Sequence, residues 1–170
     1  MFLPLESGSP DDFDFFIGDW DISHRRLKSR LTGCTEWEHF SGRSTCQKIL
    51  GGFGNIDDNL LYLPGGTYRA ATIRSFDPKQ GTWSIWWLDS RNPGSIDVPV
   101  VGRFEDGVGT FLANEVLDSK PIVVRFVLTK SELDQPRWEQ AFSPDGGHTW
   151  ETNWIMEFTR RPPGEAQPFA

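Results

Sequence analysis

The fold is decided by residues 137–160, RWEQAFSPDGGHTWETNWIMEFTR, which encode two amphipathic strands joined by a tight turn. Aromatic residues alternate with polar ones on both sides of the turn, the period-two pattern of a strand with one buried face. If Phe142 lies opposite Trp150, the charged side chains face outward and the aromatic ones face inward. Gln140 and Thr152 then form a polar pair inside an aromatic wall. The sequence therefore predicts an antiparallel hairpin that lines a core or a cavity.

Segments of the same kind follow one another along almost the whole chain. They are separated by turns rich in Gly, Pro, Asn and Asp, and such a series of short strands is typical of a β-sandwich or a β-barrel. Before them, residues 9–12 read as a helix start that Gly18 soon ends. We therefore predict a single all-β domain over residues 1–170 with a short N-terminal helix and flexible ends at 1–9 and 162–170. The predicted strands lie near residues 19–31, 35–49, 59–63, 67–76, 82–89, 98–105, 109–117, 121–130, 136–143 and 149–160.

The composition describes an acidic globular chain and excludes several classes of function. The 170 residues carry a formal net charge of -7, which disfavours a nucleic acid partner. No apolar run reaches the length of a membrane span, and the N-terminus lacks the pattern of a signal peptide, so we expect a cytoplasmic protein with no membrane partner. Cys34 and Cys46 are too few for a disulfide framework. The three His have no metal-site spacing, and we expect no metal and no cofactor.

The turn at residues 143–150 matches the Asp-box, Ser-x-Asp-x-Gly-x-Thr-Trp. In the proteins that carry it, this motif is a structural hairpin: the Asp accepts hydrogen bonds from backbone N–H groups of the turn, and the Trp packs beneath. A single copy in a chain of this length argues against a sialidase-like propeller. We therefore assign structural roles to Asp145 and Trp150.

A second structural motif stands at the start of the first predicted strand, where Gly18-Asp19-Trp20 follows the short helix. A Gly-x-Trp motif in this position resembles the calycins, which include lipocalins, fatty-acid-binding proteins and the nitrobindin-like group. The resemblance implies a single antiparallel calycin-like β-barrel of about eight to ten strands over residues 13–160. It also implies that Trp20 closes the barrel base and stacks on an arginine at the end of the last strand, for which Arg160 is the candidate.

The chain also resembles a bacterial family of uncharacterised proteins, a domain-of-unknown-function family with a calycin-like barrel. The matching stretches lie in residues 13–20, 74–83 and 137–154. This resemblance implies a fold, and it carries no catalytic residues that could be transferred.

An earlier hairpin, over residues 26–40, is predicted from its charges. With a three-residue loop at 32–34, Lys28 lies opposite Glu38, and this charged face points to solvent. The inward-facing set is then Leu27, Leu31, Trp37 and His39. Because Trp20 and Ile22 have the other parity, we predict a β-bulge between Ile22 and Leu27.

These faces define a candidate ligand site. Barrels of this size leave room for one small ligand, so we expect a protein that binds a small apolar or aromatic molecule. Arg74 and Arg125 each interrupt an apolar run, and each either points inward and pairs with a carboxylate on the ligand or lies on the outer face beside Glu or Asp. No catalytic motif is present, which favours a binding protein over an enzyme. The candidate binding residues are Trp37, His39, Arg74, Arg125, Trp138, Gln140, Phe142, Thr152 and Trp154.

Three alternatives remain open for the same barrel. One is a cofactor-free isomerase, cyclase or decarboxylase for an aromatic or polyketide-like substrate, with His39 and an inward arginine as the acid/base and anion-binding pair. Another is a haem or nitric-oxide-binding barrel with His39 as the iron ligand. The third is a barrel filled by its own Trp side chains that serves as an interaction module.

The strand at residues 82–89 is apolar on both of its faces. Trp83, Ile85 and Trp87 share one face, while Trp86 and Leu88 lie on the other. A strand of this kind is covered on both sides. We therefore predict that it contributes to a homodimer interface.

Overall fold

The computed structural model describes residues 8–162, and within them ten strands close into one antiparallel barrel. Each strand pairs with its neighbours in the chain, and the last pairs with the first. The all-β class and the single antiparallel barrel are confirmed, while the predicted flexible termini lie almost wholly outside the described residues. The strands are β1 (Gly18–Leu27), β2 (Trp37–Ile49), β3 (Gly54–Leu63), β4 (Gly66–Asp77), β5 (Thr82–Asp89), β6 (Val100–Glu105), β7 (Val108–Leu117), β8 (Lys120–Thr129), β9 (Arg137–Ser143) and β10 (Glu151–Arg160).

Strict alternation places every second side chain inside the barrel. In β4, for example, Tyr68, Ala70 and Thr72 are buried between more exposed neighbours. This follows from the pleat of a strand, which sends successive side chains to opposite faces. The short helix expected before β1 is smaller than predicted, a single 3-10 turn over Asp14–Phe16 that follows a turn.

The segment before β1 closes one end of the barrel with aromatic rings. The Phe13 ring lies 4.8 Å from that of Trp83 and 5.0 Å from that of Phe104, both edge-on. The indole N–H of Trp20 donates to the Phe16 carbonyl at 2.9 Å. Edge-on aromatic pairs of this kind add to the gain from burying their area. This end of the barrel is therefore plugged, and the opposite end forms the mouth.

Arg160, at the end of β10, joins the plug to the barrel wall. Its guanidinium lies 4.2 Å from the centre of the Trp20 ring, the contact that the calycin resemblance implied. The same group donates to the carbonyls of Phe15 and Ile17, each at 2.7 Å. Gly18 is required here, because its φ is +127° and a Cβ would come within 2.6 Å of the Arg160 side chain.

The register of the first hairpin differs from the prediction. β1 pairs with both of its neighbours without a break, so the predicted bulge between Ile22 and Leu27 is absent. Arg26 lies opposite Glu38, and Lys28 pairs with Glu36 instead. The unbroken alternation turns the Arg26–Glu38 ion pair, 2.7 Å long, toward the barrel interior. The prediction was wrong because it assumed that every charge on this hairpin faces water.

The second hairpin also has a corrected register. Phe142 lies opposite Glu151, not Trp150, and a bulge in β10 between Thr152 and Trp154 shifts the pairing. Gln140 consequently pairs with Trp154 and donates to Asn153 at 2.8 Å, so the predicted Gln140–Thr152 pair is not formed. The bulge returns Trp154 to the inner face.

The turn between β9 and β10 is held by the Asp145 carboxylate. It accepts hydrogen bonds from the Thr149 hydroxyl at 2.6 Å, the Thr149 N–H at 2.8 Å and the His148 N–H at 3.1 Å. The hydrogen bonds from Thr149, and the one from Ser143, lower the pKa of Asp145 to about 2. This network gives Asp145 the structural role that its motif indicates.

The outside of the barrel has one charged side and one apolar side. The outer face of β1, β2 and β10 carries ion pairs such as Arg43–Asp21 and Arg25–Glu157. On the outer face of β6 and β7, Val101 lies opposite Leu112, and their exposed fractions are 41% and 46%. Exposed apolar side chains on adjacent strands form a patch of the kind that marks an interaction surface.

None of the helical segments between residues 8 and 162 has the length and apolar character that would let it cross a membrane.

Candidate functional site

A chamber lies inside the barrel above the aromatic plug. It has a cavity volume of about 100 Å³. A second space of about 80 Å³ lies toward the mouth and shares the side chains of Ile85, Trp87, Asp97, Phe126 and Gln140 with the first. An engineered apolar cavity of roughly 150 Å³ is known to hold benzene. Each space alone is smaller than that, so a molecule of about one ring with a short substituent would occupy both spaces, which share five lining side chains.

One wall of the chamber is aromatic. The Trp154 ring meets Trp87 at 5.9 Å and Trp138 at 5.6 Å, and both contacts are nearly perpendicular. Phe126 extends the series, 4.8 Å from Trp138. Because the rings pack edge to face, they support one another and keep flat surfaces open to the cavity. Trp138 and Trp154 were predicted from the alternation of the second hairpin, and the structure brings them together.

The facing wall is polar and comes from β3 and β4. Arg74 forms an ion pair with Asp57 at 2.8 Å and donates to the Asn55 side chain at 2.8 Å. Asp57 also accepts from the Asn59 amide at 2.6 Å and from the Thr72 N–H at 3.2 Å. The side chains of the ion pair are only 2% and 9% exposed. Charges this deep are tolerated only when they are paired and hydrogen-bonded.

Asp57 holds Arg74 in place. Three donors, from Arg74, Asn59 and Thr72, occupy its carboxylate. The guanidinium lies over the rings of Phe13 and Phe16, 5.2 and 5.1 Å from their centres. Arg74 therefore faces the chamber, as predicted, but its charge is already balanced inside the chain. The predicted role of a lone arginine that captures a ligand carboxylate is not what this geometry offers.

Arg125 lies outside the barrel. Its guanidinium stacks on the outward-facing Trp150 at 4.1 Å from the ring centre. Arg125 follows the alternation of β8, whose buried positions are Ile122, Val124 and Leu128, whereas Trp150, predicted to face inward opposite Phe142, precedes β10 and faces outward. The prediction that Arg125 binds a ligand inside the barrel was wrong, and the stack braces the turn between β9 and β10 instead.

His39 was predicted to point inward, and the structure places it on the exposed outer face of β2. It borders an open surface groove together with Arg43, Tyr62 and Arg137. The absence of the predicted bulge is the reason: the unbroken alternation of β1 turns Arg26 and its partner Glu38 inward, so His39 faces outward. Trp37, with the same parity, is half-buried and does not line the chamber.

The histidine inside the barrel is His24, which the sequence analysis did not select. It is 2% exposed, its Nδ1 accepts from the Trp154 indole at 3.2 Å, and its ring stacks on Phe40 at 4.6 Å. An indole N–H can only donate, so the neutral ring carries its proton on Nε2. Burial, assisted by the positive charge of Arg26, lowers the pKa of His24 to about 3.

The interior does not fit a haem with a histidine ligand. His39 lies outside, the Nδ1 of His24 is occupied by Trp154, and its Nε2 lies against Gly42, where a Cβ would come within 2.6 Å. The acid/base pair proposed from His39 and an inward arginine is likewise not assembled. The haem-binding and the enzyme alternatives both required His39 inside the barrel, and it lies outside.

The remaining predicted residues divide between the two spaces. Gln140 borders both, while Phe142 lines the space near the mouth. Thr152 is half-buried beside the bulge and borders neither cavity. Asp57 and Asn59 were missed, although the alternation Asn55, Asp57, Asn59 in a strand with Leu61 was a readable signal that their side faces inward. The predicted start of this strand at residue 59 removed that signal.

At the mouth, two carboxylates border the smaller space. Asp97 is exposed on the loop after β5, and Glu115 is half-buried on β7. Partial burial raises the pKa of both carboxyl groups, and a neighbouring carboxylate adds to the effect, Asp89 for Asp97 and Asp97 for Glu115.

Comparison with models of known protein families gave no match for this chain, and a search of the curated proteins found no relative.

Proposed function

We propose that this protein binds one small, flat, largely apolar molecule inside its barrel and carries out no chemistry on it. The observation behind the proposal is the two-sided chamber, in which the aromatic wall of Trp87, Trp138 and Trp154 faces the polar wall of Asp57 and Arg74. Ligand sites are typically apolar cavities with a few fixed polar groups. A calycin-like barrel with such an interior is suited to binding.

The polar wall supplies orientation. Thr72 accepts from Asn59 through its hydroxyl oxygen at 3.2 Å, which leaves the hydroxyl proton free to donate. Arg74 has five N–H donors, of which those to Asp57 and Asn55 are two. A ligand hydroxyl or carbonyl at this wall would therefore meet preformed donors, while its ring packs on the indoles.

The test is a titration with benzyl alcohol, which has one ring and one neutral polar group, followed by two-dimensional amide NMR. The indole N–H signals of Trp87, Trp138 and Trp154 are expected to shift, and that of Trp150, on the outside of the barrel, is expected to stay. Native mass spectrometry of the freshly purified protein would report a ligand carried through purification. If all indole signals stay fixed at millimolar probe and only the bare mass is seen, the chamber is a filled core and the proposal fails.

Ile85→Phe is expected to weaken benzyl alcohol binding at least tenfold, because Ile85 borders both spaces and the larger ring would occupy them. The matched control is Ile73→Phe, the same change on the outward, half-buried face of adjacent β4. Amide signal dispersion shows whether each variant folds. Equal dissociation constants for the two variants would place the ligand outside the chamber.

We also propose that two copies associate through the outer face of β6 and β7, where Val101, Leu112 and Val116 are exposed. A second copy offers the same flat apolar surface, and such faces pack on each other in a two-fold arrangement. Light scattering with size-exclusion chromatography is expected to give twice the chain mass, and Leu112→Glu is expected to halve it by placing a charge in the contact. Ser41→Glu, on the charged outer face of β2, is the control. A wild-type mass of one chain at high concentration would refute the association.

A further inference from the structure

The charged residues around the chamber differ in whether they form ion pairs. Three arginines that face the interior or the mouth form ion pairs within the chain, Arg74 with Asp57, Arg26 with Glu38 and Arg91 with Asp89, at 2.7–2.8 Å, whereas the half-buried Arg30 in the β1–β2 loop forms none within residues 8–162. Asp97 and Glu115 form no ion pair among residues 8–162. The lining of the smaller space includes both of these carboxylates and no Lys or Arg, so the charge at that space is negative.

The two carboxylates face an apolar space. Apart from Gln140, the rest of the cavity that they border is lined by aromatic and aliphatic side chains, among them Trp87, Phe126 and Phe142. The Asp97 N–H is bonded to the Trp87 carbonyl at 3.0 Å, which holds the loop against the aromatic wall. A carboxylate beside aromatic faces is the arrangement that receives an organic cation, since both attract positive charge.

We infer that the ligand of this chamber is an organic cation, a protonated amine whose ammonium group sits between Asp97 and Glu115 while its flat apolar body enters the aromatic chamber. This inference rests on the proposed binding function and names the ligand class. It follows from the cavity, its aromatic walls and the excess of negative charge at its mouth. Partial burial raises the pKa of both carboxyl groups because it disfavours their charged forms. A cation bound beside them offsets this cost, since it favours the charged forms.

The direction of entry agrees with the overall charge. The chain carries a net charge of -7, so a cation is attracted over the whole approach and an anion is repelled. Phe13, Trp20 and Trp83 close the other end of the barrel. The ligand therefore enters at the mouth with its apolar body first, and its ammonium group stays near water. An amine held in this way keeps most of its hydration, which limits the cost of burying its charge.

The test compares three probes that share one ring and differ in charge: benzylammonium, benzyl alcohol and benzoate. Isothermal titration at neutral pH and low salt is expected to give a dissociation constant for benzylammonium roughly fivefold to twentyfold lower than that of benzyl alcohol. Benzoate is expected to bind most weakly. Added salt should reduce the preference, because the carboxylates lie at the mouth where ions screen them.

The decisive variant is Asp97→Asn with Glu115→Gln, which removes both charges and keeps the side-chain shapes. This variant is expected to bind benzylammonium and benzyl alcohol with similar dissociation constants. Its dissociation constant for benzyl alcohol should equal that of the wild type. Asp106→Asn is the matched control, because Asp106 lies in the β6–β7 turn at the plugged end; the wild-type preference should survive there.

The outcomes separate this inference from the proposed function. If benzyl alcohol binds and benzylammonium gains nothing, the chamber is a ligand site but the organic-cation inference is wrong. A preference that survives in the Asp97→Asn, Glu115→Gln variant would also overturn it. If none of the three probes moves the chamber indole signals, the proposed function itself fails.

Discussion

Asp57→Asn is expected to lower the free energy of unfolding by about 3–5 kcal/mol, because it leaves the buried Arg74 charge without its counter-ion. The change preserves the shape of the side chain and removes only the negative charge. What remains on the guanidinium is the hydrogen bond to Asn55 and the rings of Phe13 and Phe16. Urea unfolding followed by tryptophan fluorescence measures the effect as a shift of the midpoint at constant slope.

The adjacent residue provides a matched control. Asp58 pairs with Arg69 at 2.7 Å, as short a contact as the Asp57–Arg74 pair, but the two side chains are 25% and 45% exposed. Asp58→Asn should therefore cost less than about 1 kcal/mol. Similar losses for the two variants would mean that the buried pair is solvated and that the polar wall is not as enclosed as the geometry indicates.

A double variant keeps this prediction testable if Asp57→Asn does not fold. Asp57→Asn combined with Arg74→Gln removes both charges, and it should recover part of the loss, because neither side then keeps an uncompensated charge. Additive losses would contradict the assignment of Asp57 as the group that holds Arg74.

The barrel itself could be predicted from the sequence because the relevant signals are local. The alternation of polar and apolar residues sets the inner and outer faces, and turn residues such as Asp106-Gly107 mark where strands end. The predicted strand at 82–89 coincides with β5, Thr82–Asp89. Closure could be inferred only from the calycin resemblance, since pairing between β1 and β10 joins segments more than a hundred residues apart.

The errors in the first hairpin share a physical cause, which is buried polar chemistry; the error for Arg125, which was predicted inside and lies outside, is of the opposite kind. Treating every charge as exposed is correct on average, and it gave the wrong parity for Arg26, Glu38 and, with them, His39. The ion pairs of Arg26 and Arg74 break that rule because each finds its partner across a neighbouring strand. The interior polar wall was therefore invisible to an argument that began from amphipathic strands, whereas the aromatic wall was visible to it.

The bulge in β10 has the same character. It depends on Asn153, which is fully buried and accepts from Gln140, and a polar residue between aromatic positions gives no local sign that it will be turned inward. Trp154 was nevertheless placed correctly, because the bulge reverses the alternation that has Trp150 facing outward and so brings Trp154 to the inner face.

His24 is expected to make the protein lose stability as the pH falls below about 6.5, although the ring forms no ion pair. Burial lowers the pKa of its folded form to about 3, from 6.5 for an ordinary histidine. Above 6.5 the ring is neutral in both states and its contribution is fully present. Below pH 6.5, His24 binds a proton in the unfolded chain but stays neutral in the folded chain, so the free energy of unfolding falls. The loss is about 2 kcal/mol between neutral pH and pH 5.

The measurement is a series of urea unfolding midpoints over that range, where most carboxyl groups are still ionised in both states. His24→Gln should flatten the dependence, since glutamine can still accept from the Trp154 indole and does not titrate. His39→Gln is the control, because His39 is exposed on the outer face and its replacement should leave the slope intact. NMR of the histidine rings tests this directly. The ring signals of His24 should keep the chemical shifts of a neutral imidazole down to the lowest pH at which the protein stays folded. If the ring of His24 titrates near pH 6.5, it is reached by water, and the stack of Phe40, His24 and Trp154 that closes this side of the chamber is not rigid.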